Sequence, residues 1–292
     1  EHLVVGSDEG HVLQVLRKAG PNTFEVIHKY SLPDGEETAR TKKQDPEIDI
    51  EGMAADGNNV YVVGSHSRKR SKVEARNPKR RWRWENRKRL SQHEPDDARQ
   101  ALLRIALDRN GARTGEIECA DLWGAIHKFD VLRPFAAIPS KENGIDIEGI
   151  AAYDGRLYIG FRGPVLRENW VPVLVTRFDD IVGQATLRYV NLGGLGIRDM
   201  VAVDDQCLLL IAGPVGDGPG GYHLYRWNGG DCVPGQNGAR GVVEHIAEIP
   251  TTGEAKAEGL TLLESDREDA LRMLILFDGP EDGDPVAYRL RR

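Results

Sequence analysis

The chain has 292 residues, of which 40 % are hydrophobic and 29 % charged, and its formal net charge is −7. This composition is near the globular average, so it excludes a largely disordered chain, and the negative charge argues against general nucleic-acid binding. No apolar run reaches the 18 residues of a membrane-spanning helix, so no membrane association is expected. A chain of this length often forms one domain, so residues 1–292 are predicted to form a single domain, and a monomer is expected.

Three cysteines, Cys119, Cys207 and Cys232, are odd in number and lack the spacing of a metal site. They indicate neither a disulfide framework nor a zinc site. Reduced thiols favour a cytoplasmic protein. Export stays open, because no signal peptide is visible but a mature chain would already have lost it.

Apolar runs that end in Gly or Asp recur along the chain and predict buried β-strands. The opening unit has strands at 1–10, 11–18 and 23–32. The second unit begins with IDIEGMA (48–54) and continues at 58–68, 101–108 and 115–122. Leu122, Ile126 and Phe129 then show helical spacing, which predicts a short helix within 121–139 that connects two units.

The third unit repeats the opening of the second as IDIEGIA (145–151), followed by strands at 155–165, 173–179 and 185–192. The fourth begins with GIRDMVA (196–202) and continues at 206–215, 222–228 and 242–249. The fifth begins with KAEGLTL (256–262) and continues at 271–280 and 286–292. The same short motif thus opens four of the five units.

Repeated units of four antiparallel strands are typical of a β-propeller, whose blades pack around a central channel. The fold class predicted is all-β, a propeller with five blades counted and six still possible. The opening unit has no motif strand and the final unit no fourth strand. We therefore expect roughly 20 or more further residues ahead of Glu1 to close the ring, or an unusual closure, because unpaired strand edges invite aggregation.

Acidic residues alternate with isoleucines in the motif, so they share one face of the innermost strand and point toward the channel. The predicted ring consists of Glu51, Glu148, Asp199 and Glu258. Hairpin geometry adds neighbours at the same mouth of the channel. They are Ser65 and His66 beside Asp49, Arg162 beside Asp146, Asp278 near Glu258, Asp8 from the opening unit, and Arg198, which precedes Asp199.

Two interpretations of this ring are open. The acids could be structural, accepting backbone N–H bonds or pairing with Arg162 and Arg198, because buried carboxylates need partners. Alternatively the ring could hold a cation. Oxygen ligands suit Ca²⁺ or Mg²⁺ rather than zinc, and no organic cofactor is expected.

A basic insertion at 68–100 interrupts the second unit between its second and third strands, where it would overhang the mouth as a lid. Residues 68–89 alone hold twelve Lys or Arg against two Glu, a local charge of +10. Arg81, Trp82 and Arg83 place an aromatic ring between two guanidinium groups. The insertion could be a surface loop that pairs with the acidic body, a site for a small anionic ligand, or a nucleic-acid site.

The motifs DIEGMA, GSHSR, DIEGIA, RGPV and GGLGIRDM, in this order, resemble an uncharacterised bacterial family, a domain of unknown function, over essentially the whole chain. More distantly, the acid-Ile-Glu-Gly pattern is similar to the esterase-like phytase family, which implies a propeller and a metal-dependent phosphoesterase activity. The closer family implies a fold but no reaction.

The leading functional hypothesis is a divalent-cation-dependent hydrolase of phosphate or related esters. In it Glu51, Glu148, Asp199 and Glu258 hold the metal, Arg162 and Arg198 stabilise the anionic substrate and His66 transfers a proton. The alternative is a non-catalytic module that binds a ligand or a polyanion.

Overall fold

We describe a computed structural model of the chain, which covers residues 2–7, 10–20, 23–33, 48–74, 83–95, 99–218, 220–236, 238, 240–263, 269–280 and 283–291. Antiparallel sheets dominate it. Five of them are arranged radially as the blades of a β-propeller, which confirms both the fold class and the count of five.

Among the described residues, blade 1 has three strands and blade 2 has four, in the order in which the chain reaches them. Blade 1 consists of β1 (His2–Val5), β2 (Val12–Gly20) and β3 (Thr23–Ser31). Blade 2 consists of β4 (Ile50–Asp56), β5 (Asn59–Gly64), β8 (Leu102–Ala106) and β9 (Glu118–Cys119). Two short strands, β6 (Arg68–Arg70) and β7 (His93–Pro95), pair with each other between β5 and β8.

Blades 3 and 4 are complete four-stranded meanders, and blade 5 has three strands. Blade 3 consists of β10 (Asp146–Tyr153), β11 (Arg156–Gly163), β12 (Trp170–Thr176) and β13 (Thr186–Asn191). Blade 4 consists of β14 (Gly196–Asp204), β15 (Cys207–Gly213), β16 (Tyr222–Trp227) and β17 (Val243–Ile249). Blade 5 consists of β18 (Lys256–Leu263), β19 (Ala270–Asp278) and β20 (Val286–Arg291).

The predicted motif strands are the innermost strands of blades 2 to 5. β10 packs beside β4 on one side and beside β14 on the other, and β14 packs beside β18. Apolar residues of these strands and of the strands behind them are buried between neighbouring blades. The buried clusters join blade 1 to 2, 2 to 3, 3 to 4 and 4 to 5.

The junction between blades 5 and 1 differs from the other four. Within the part of the chain that the structure describes, no cluster of buried apolar residues connects these two blades. The edge of β1 that faces the axis also has no strand beside it among the described residues. We call this gap, bounded by β1, β4 and β18, the open sector.

Two α-helices lie outside the sheets. α1 (Arg83–Leu90) belongs to the basic insertion and has no buried residue. α2 (Leu122–Lys128) connects blades 2 and 3, as the spacing predicted, and Asp121 caps it by accepting the Gly124 N–H at 3.1 Å. Neither helix has the length and apolarity needed to cross a lipid bilayer.

Candidate functional site at the channel mouth

Each of the four inner strands contains a β-bulge at the same place. In β10 the pairing with β11 passes from Ile147 to Gly149, so Glu148 has no partner across the ladder. The equivalent unpaired residues are Glu51 in β4, Arg198 in β14 and Glu258 in β18. A bulge turns the extra side chain away from the regular alternation. We call these four residues the bulge ring.

This register corrects the predicted ring in blade 4. The sequence analysis aligned Asp199 with the three glutamates, but the bulged residue is Arg198, so that alignment is wrong by one residue. Asp199 instead takes the position of the motif glycines, Gly52, Gly149 and Gly259. A shift of one residue moves a side chain to the other face of a strand, which is why the error changes the chemistry of the ring.

Asp199 acts as a connector between blades 4 and 5. It is buried, and its carboxylate accepts the N–H of Met200 at 2.7 Å and that of Leu260 in β18 at 2.5 Å. Burial raises the pKa of Asp199 well above its ordinary value, although the two N–H donors oppose that rise. Both carboxylate oxygens are therefore occupied by backbone donors.

Two buried arginines link the acids of blades 3, 4 and 5. Arg162, near the end of β11, pairs with Asp146 and also contacts Glu148, its Nη1 lying 2.6 Å from Oε1. Arg198 Nε lies 2.8 Å from the other oxygen of Glu148, and its Nη2 pairs with Glu258. The order Asp146, Arg162, Glu148, Arg198, Glu258 is thus a continuous chain of alternating charge.

Burial works against the charges in this chain. It raises the pKa of Asp146 to about 7; Arg162 lowers that pKa and Glu148 raises it further. The carboxylates around Arg162 raise its pKa, although burial opposes that rise, so the guanidinium stays charged. Because a buried charge is costly without a partner, these residues depend on one another.

A second buried group surrounds Asp49, at the start of blade 2. Its Oδ2 accepts bonds from Ser65 Oγ and from Arg99, both at 2.6 Å, while Lys69 of the insertion lies 3.2 Å from Oδ1. The sequence analysis placed Ser65 beside Asp49 but missed Arg99. Arg99 lies at the far end of the insertion, and nothing in its sequence neighbourhood marks it as part of the mouth.

Glu51 is the exception among the acids of the bulge ring. It lines the channel, and no hydrogen bond or ion pair reaches its carboxylate from the described residues. Burial raises its pKa well above the ordinary value, and Glu148, Asp49 and Asp146 raise it further; Arg162 opposes them. Glu51 is therefore a carboxyl group with surplus negative charge around it.

His66 lies apart from the acids. It is buried, its Nδ1 is 2.9 Å from the carbonyl oxygen of Gly64, and its ring centroid is 6.0 Å from that of Trp123. Burial lowers its pKa to about 4, so the imidazole is neutral at pH 7. The structure brings His66 toward α2 rather than to the bulge ring.

The remaining predicted residues lie at the edge of the site or outside the described residues. Asp278 pairs with Lys256, across the hairpin from Glu258. Arg83 is the exposed first residue of α1. Asp8, Arg81 and Trp82 lie outside the described residues.

A cavity of about 730 Å³ occupies the channel beside the open sector. Apolar residues of β1, β4, β14, β18 and β19 form most of its wall, and its acidic side chains are Glu51, Asp199, Glu258 and Asp278. Among the residues described, no three or more His, Cys, Asp or Glu side chains are grouped so as to hold a metal ion. The acidic end of the cavity therefore offers single carboxylates.

Comparison with known families finds one that spans nearly the whole chain. The family described as "Protein of unknown function (DUF3616)" matches residues 1–285. The chain belongs to this family. No curated protein matches the sequence. The family match does not test the weaker resemblance to the esterase-like phytase family, and it assigns no reaction to the channel.

Proposed function

We propose that this member of the DUF3616 family is a binding protein whose channel receives a positively charged group at Glu51. The observation that carries the proposal is the carboxylate of Glu51, which lines a cavity, has no hydrogen-bond or ion-pair partner among the described residues, and is repelled by Glu148, Asp49 and Asp146 more than Arg162 offsets. Burial is the main cause of the raised pKa of Glu51, and a bound cation would offset both the cost of burying the charge and the repulsion by the neighbouring acids. Pockets with convergent polar groups and shifted pKa values are characteristic of binding sites.

The free oxygens favour some cations over others. Both oxygens of Glu148 are in ion pairs with arginines and both oxygens of Asp199 accept backbone N–H groups. Of the four metal ligands proposed from the sequence, Glu51 and Glu258 therefore have a carboxylate oxygen outside any ion pair or hydrogen bond among the described residues. Ca²⁺ requires six to eight oxygens, which water would have to supply in large part. A guanidinium or ammonium group brings its own hydrogen-bond donors and needs only one or two carboxylates.

Binding can be tested by titration calorimetry with Ca²⁺, Mg²⁺ and arginine methyl ester as separate probes. We expect Glu51→Gln to weaken binding of the guanidinium probe at least about fivefold, because a charge-assisted hydrogen bond is lost. The matched control is Glu116→Gln, which makes the same change at an exposed glutamate in a different part of the sequence from Glu51. Equal affinity of the wild type and Glu51→Gln for every probe would contradict the proposal.

Hydrolysis of phosphate or related esters is the second candidate, and the raised pKa of Glu51 favours it, since a carboxyl group that holds its proton more strongly than usual can serve as a general acid. The hypothesis gives His66 the proton transfer, but the ring of His66 faces Trp123. It also requires phosphate to compete with the carboxylates for Arg162 and Arg198. Assays of p-nitrophenyl phosphate and acetate with Ca²⁺ or Mg²⁺, on the same variants, separate hydrolysis from binding alone.

A further inference from the structure

The short strand β6 links blade 2 to the connector between blades 2 and 3, and we call it the strap. Arg68 Nε donates to the carbonyl oxygen of Ala136 at 2.9 Å. Arg70 forms a bidentate pair with Glu142, its Nη2 lying 2.8 Å from Oε2. Because side chains alternate along a strand, Lys69 points away from the face that these two arginines share. The arginines thus hold the strap, and the lysine between them is directed elsewhere.

Lys69 reaches the acidic group at the start of blade 2. Its Nζ lies 3.2 Å from Asp49 Oδ1, while Asp49 Oδ2 accepts bonds from Ser65 and Arg99. Ser65 and Arg99 are buried, whereas the side chain of Lys69 is 59 % exposed. Exposed ion pairs are weak. Of these three donors, Lys69 is therefore the one that can leave Asp49 without disturbing the core.

Asp49 also belongs to the electrostatic surroundings of Glu51. Burial raises the pKa of Glu51 most, followed by the negative charges of Glu148 and Asp49. The ammonium group on Asp49 therefore neutralises part of the negative potential that would attract a cation to Glu51. A group tethered beside a site has a high effective concentration there, so it competes well with free ligands.

We propose that Lys69 is a built-in competitor of the cation site at Glu51, held on Asp49 by the strap and displaced when a cationic ligand binds. This inference rests on the proposed function, because it describes how that site is regulated. Only the molecules in which Lys69 has left Asp49 offer the full negative charge, so the competition lowers the apparent affinity for the ligand. The pair of Arg70 with Glu142 sets the strength of the competition by positioning the strap.

Replacement of Lys69 tests the competition on the whole chain. Titration calorimetry with arginine methyl ester should show at least about threefold tighter binding to Lys69→Met than to the wild type, because the competing charge is gone. The matched control is Lys88→Met, which removes the same charge from the exposed helix α1 of the same insertion and should leave the affinity unchanged. An equal gain in both variants would mean that net charge sets the affinity, which would overturn the inference.

A change at the anchor of the strap separates competition from simple charge. Glu142→Gln removes the carboxylate that holds Arg70, so Lys69 loses its position on Asp49. Loss of a negative charge by itself weakens the attraction of cations. The competition predicts the opposite, about twofold tighter binding of the probe, and no such gain when Glu142→Gln is added to Lys69→Met. Thermal unfolding of every variant distinguishes a change in binding from a loss of the fold.

The two proposals fail differently. If the probe binds in a Glu51-dependent way with equal affinity for the wild type and Lys69→Met, the cation site stands and the competition is overturned. The same holds if Glu142→Gln does not tighten binding. If the probe binds neither the wild type nor Lys69→Met, the cation site itself is overturned, and the competition with it.

Discussion

The junction of blades 3 and 4 and the open sector contain the same motif in two different states. At the first, Glu148 is buried and held by Arg162 and Arg198, and Gly149 lies against the backbone of the next inner strand. At the second, Glu51 has no such partner among the described residues, and Gly259 faces the cavity. The difference teaches that one motif can close a propeller junction where a basic residue follows it in the ring, and can leave a carboxyl group without an ion pair where none does.

The largest expected effect comes from removing the arginine that closes the ring. Arg198→Met would leave Glu148 and Glu258 with a lost partner in a buried site, and such changes cost about 3–5 kcal/mol. Denaturant unfolding measures the loss. The double variant Arg198→Met, Glu148→Gln should recover part of the stability, because it removes the charge left without its partner. A loss below about 1 kcal/mol would show that the buried network contributes little to closure.

A pair of glycine variants compares the two junctions directly. Gly149→Ala places a methyl group 2.9 Å from Ile197 in the next blade, and overpacking of this kind costs about 1–3 kcal/mol. For Gly259→Ala the three nearest atoms all belong to the Leu276 side chain of the same blade, so the change should cost less than about 1 kcal/mol. The loss of chain entropy is the same for both changes, so it cancels in the comparison. Equal costs would mean that the open sector is packed as tightly as the closed junction.

The smallest effect is a dependence on pH at Glu51. Its pKa is raised by burial and by neighbouring acids, so the folded state binds this proton more strongly than the unfolded state does. The stability linked to that proton is fully present below the unfolded pKa and is lost as pH rises through the folded pKa. Glu51→Gln mimics the protonated form, so it should exceed the wild type in unfolding free energy at pH 8 and match it near pH 4.

Urea titrations at the two pH values test this expectation, with Glu116→Gln as the exposed control. A difference in unfolding free energy between Glu51→Gln and the wild type that does not change with pH would contradict the assigned environment of Glu51. Addition of a cation that binds should reverse the sign of this stability difference at pH 8, so that the wild type becomes the more stable protein. The ionised carboxylate of the wild type binds the cation, whereas the amide of Glu51→Gln does not.

The apolar pattern predicted the inner strands, the five blades and two contacts between side chains. Ser65 with Asp49 and Arg162 with Asp146 follow from hairpin geometry, because both partners lie at strand ends that adjoin in sequence. The error at Asp199 arose from aligning acids with acids. Aligning Ile197 and Met200 with Ile147 and Ile150 places Arg198 at the position of Glu148, so the signal was present in the sequence.

Other features could not be predicted from one sequence. Arg99 reaches Asp49 across the basic insertion, and Arg198 reaches Glu148 and Glu258 in two other blades. Such pairs depend on how blades pack, and no local pattern encodes them. The bulges were also missed, since strict alternation had placed Asp49 and Glu51 on one face.

The sequence by itself determined the repeating unit, because strand periodicity and the recurring acid-glycine motif are local properties of the chain. Only the tertiary structure decided which acids are paired with arginines or backbone donors and which acid is left without such a partner. The energy of a buried carboxylate depends on the few ångströms that separate it from arginines and backbone donors of other blades, and those distances exist only once the blades have packed.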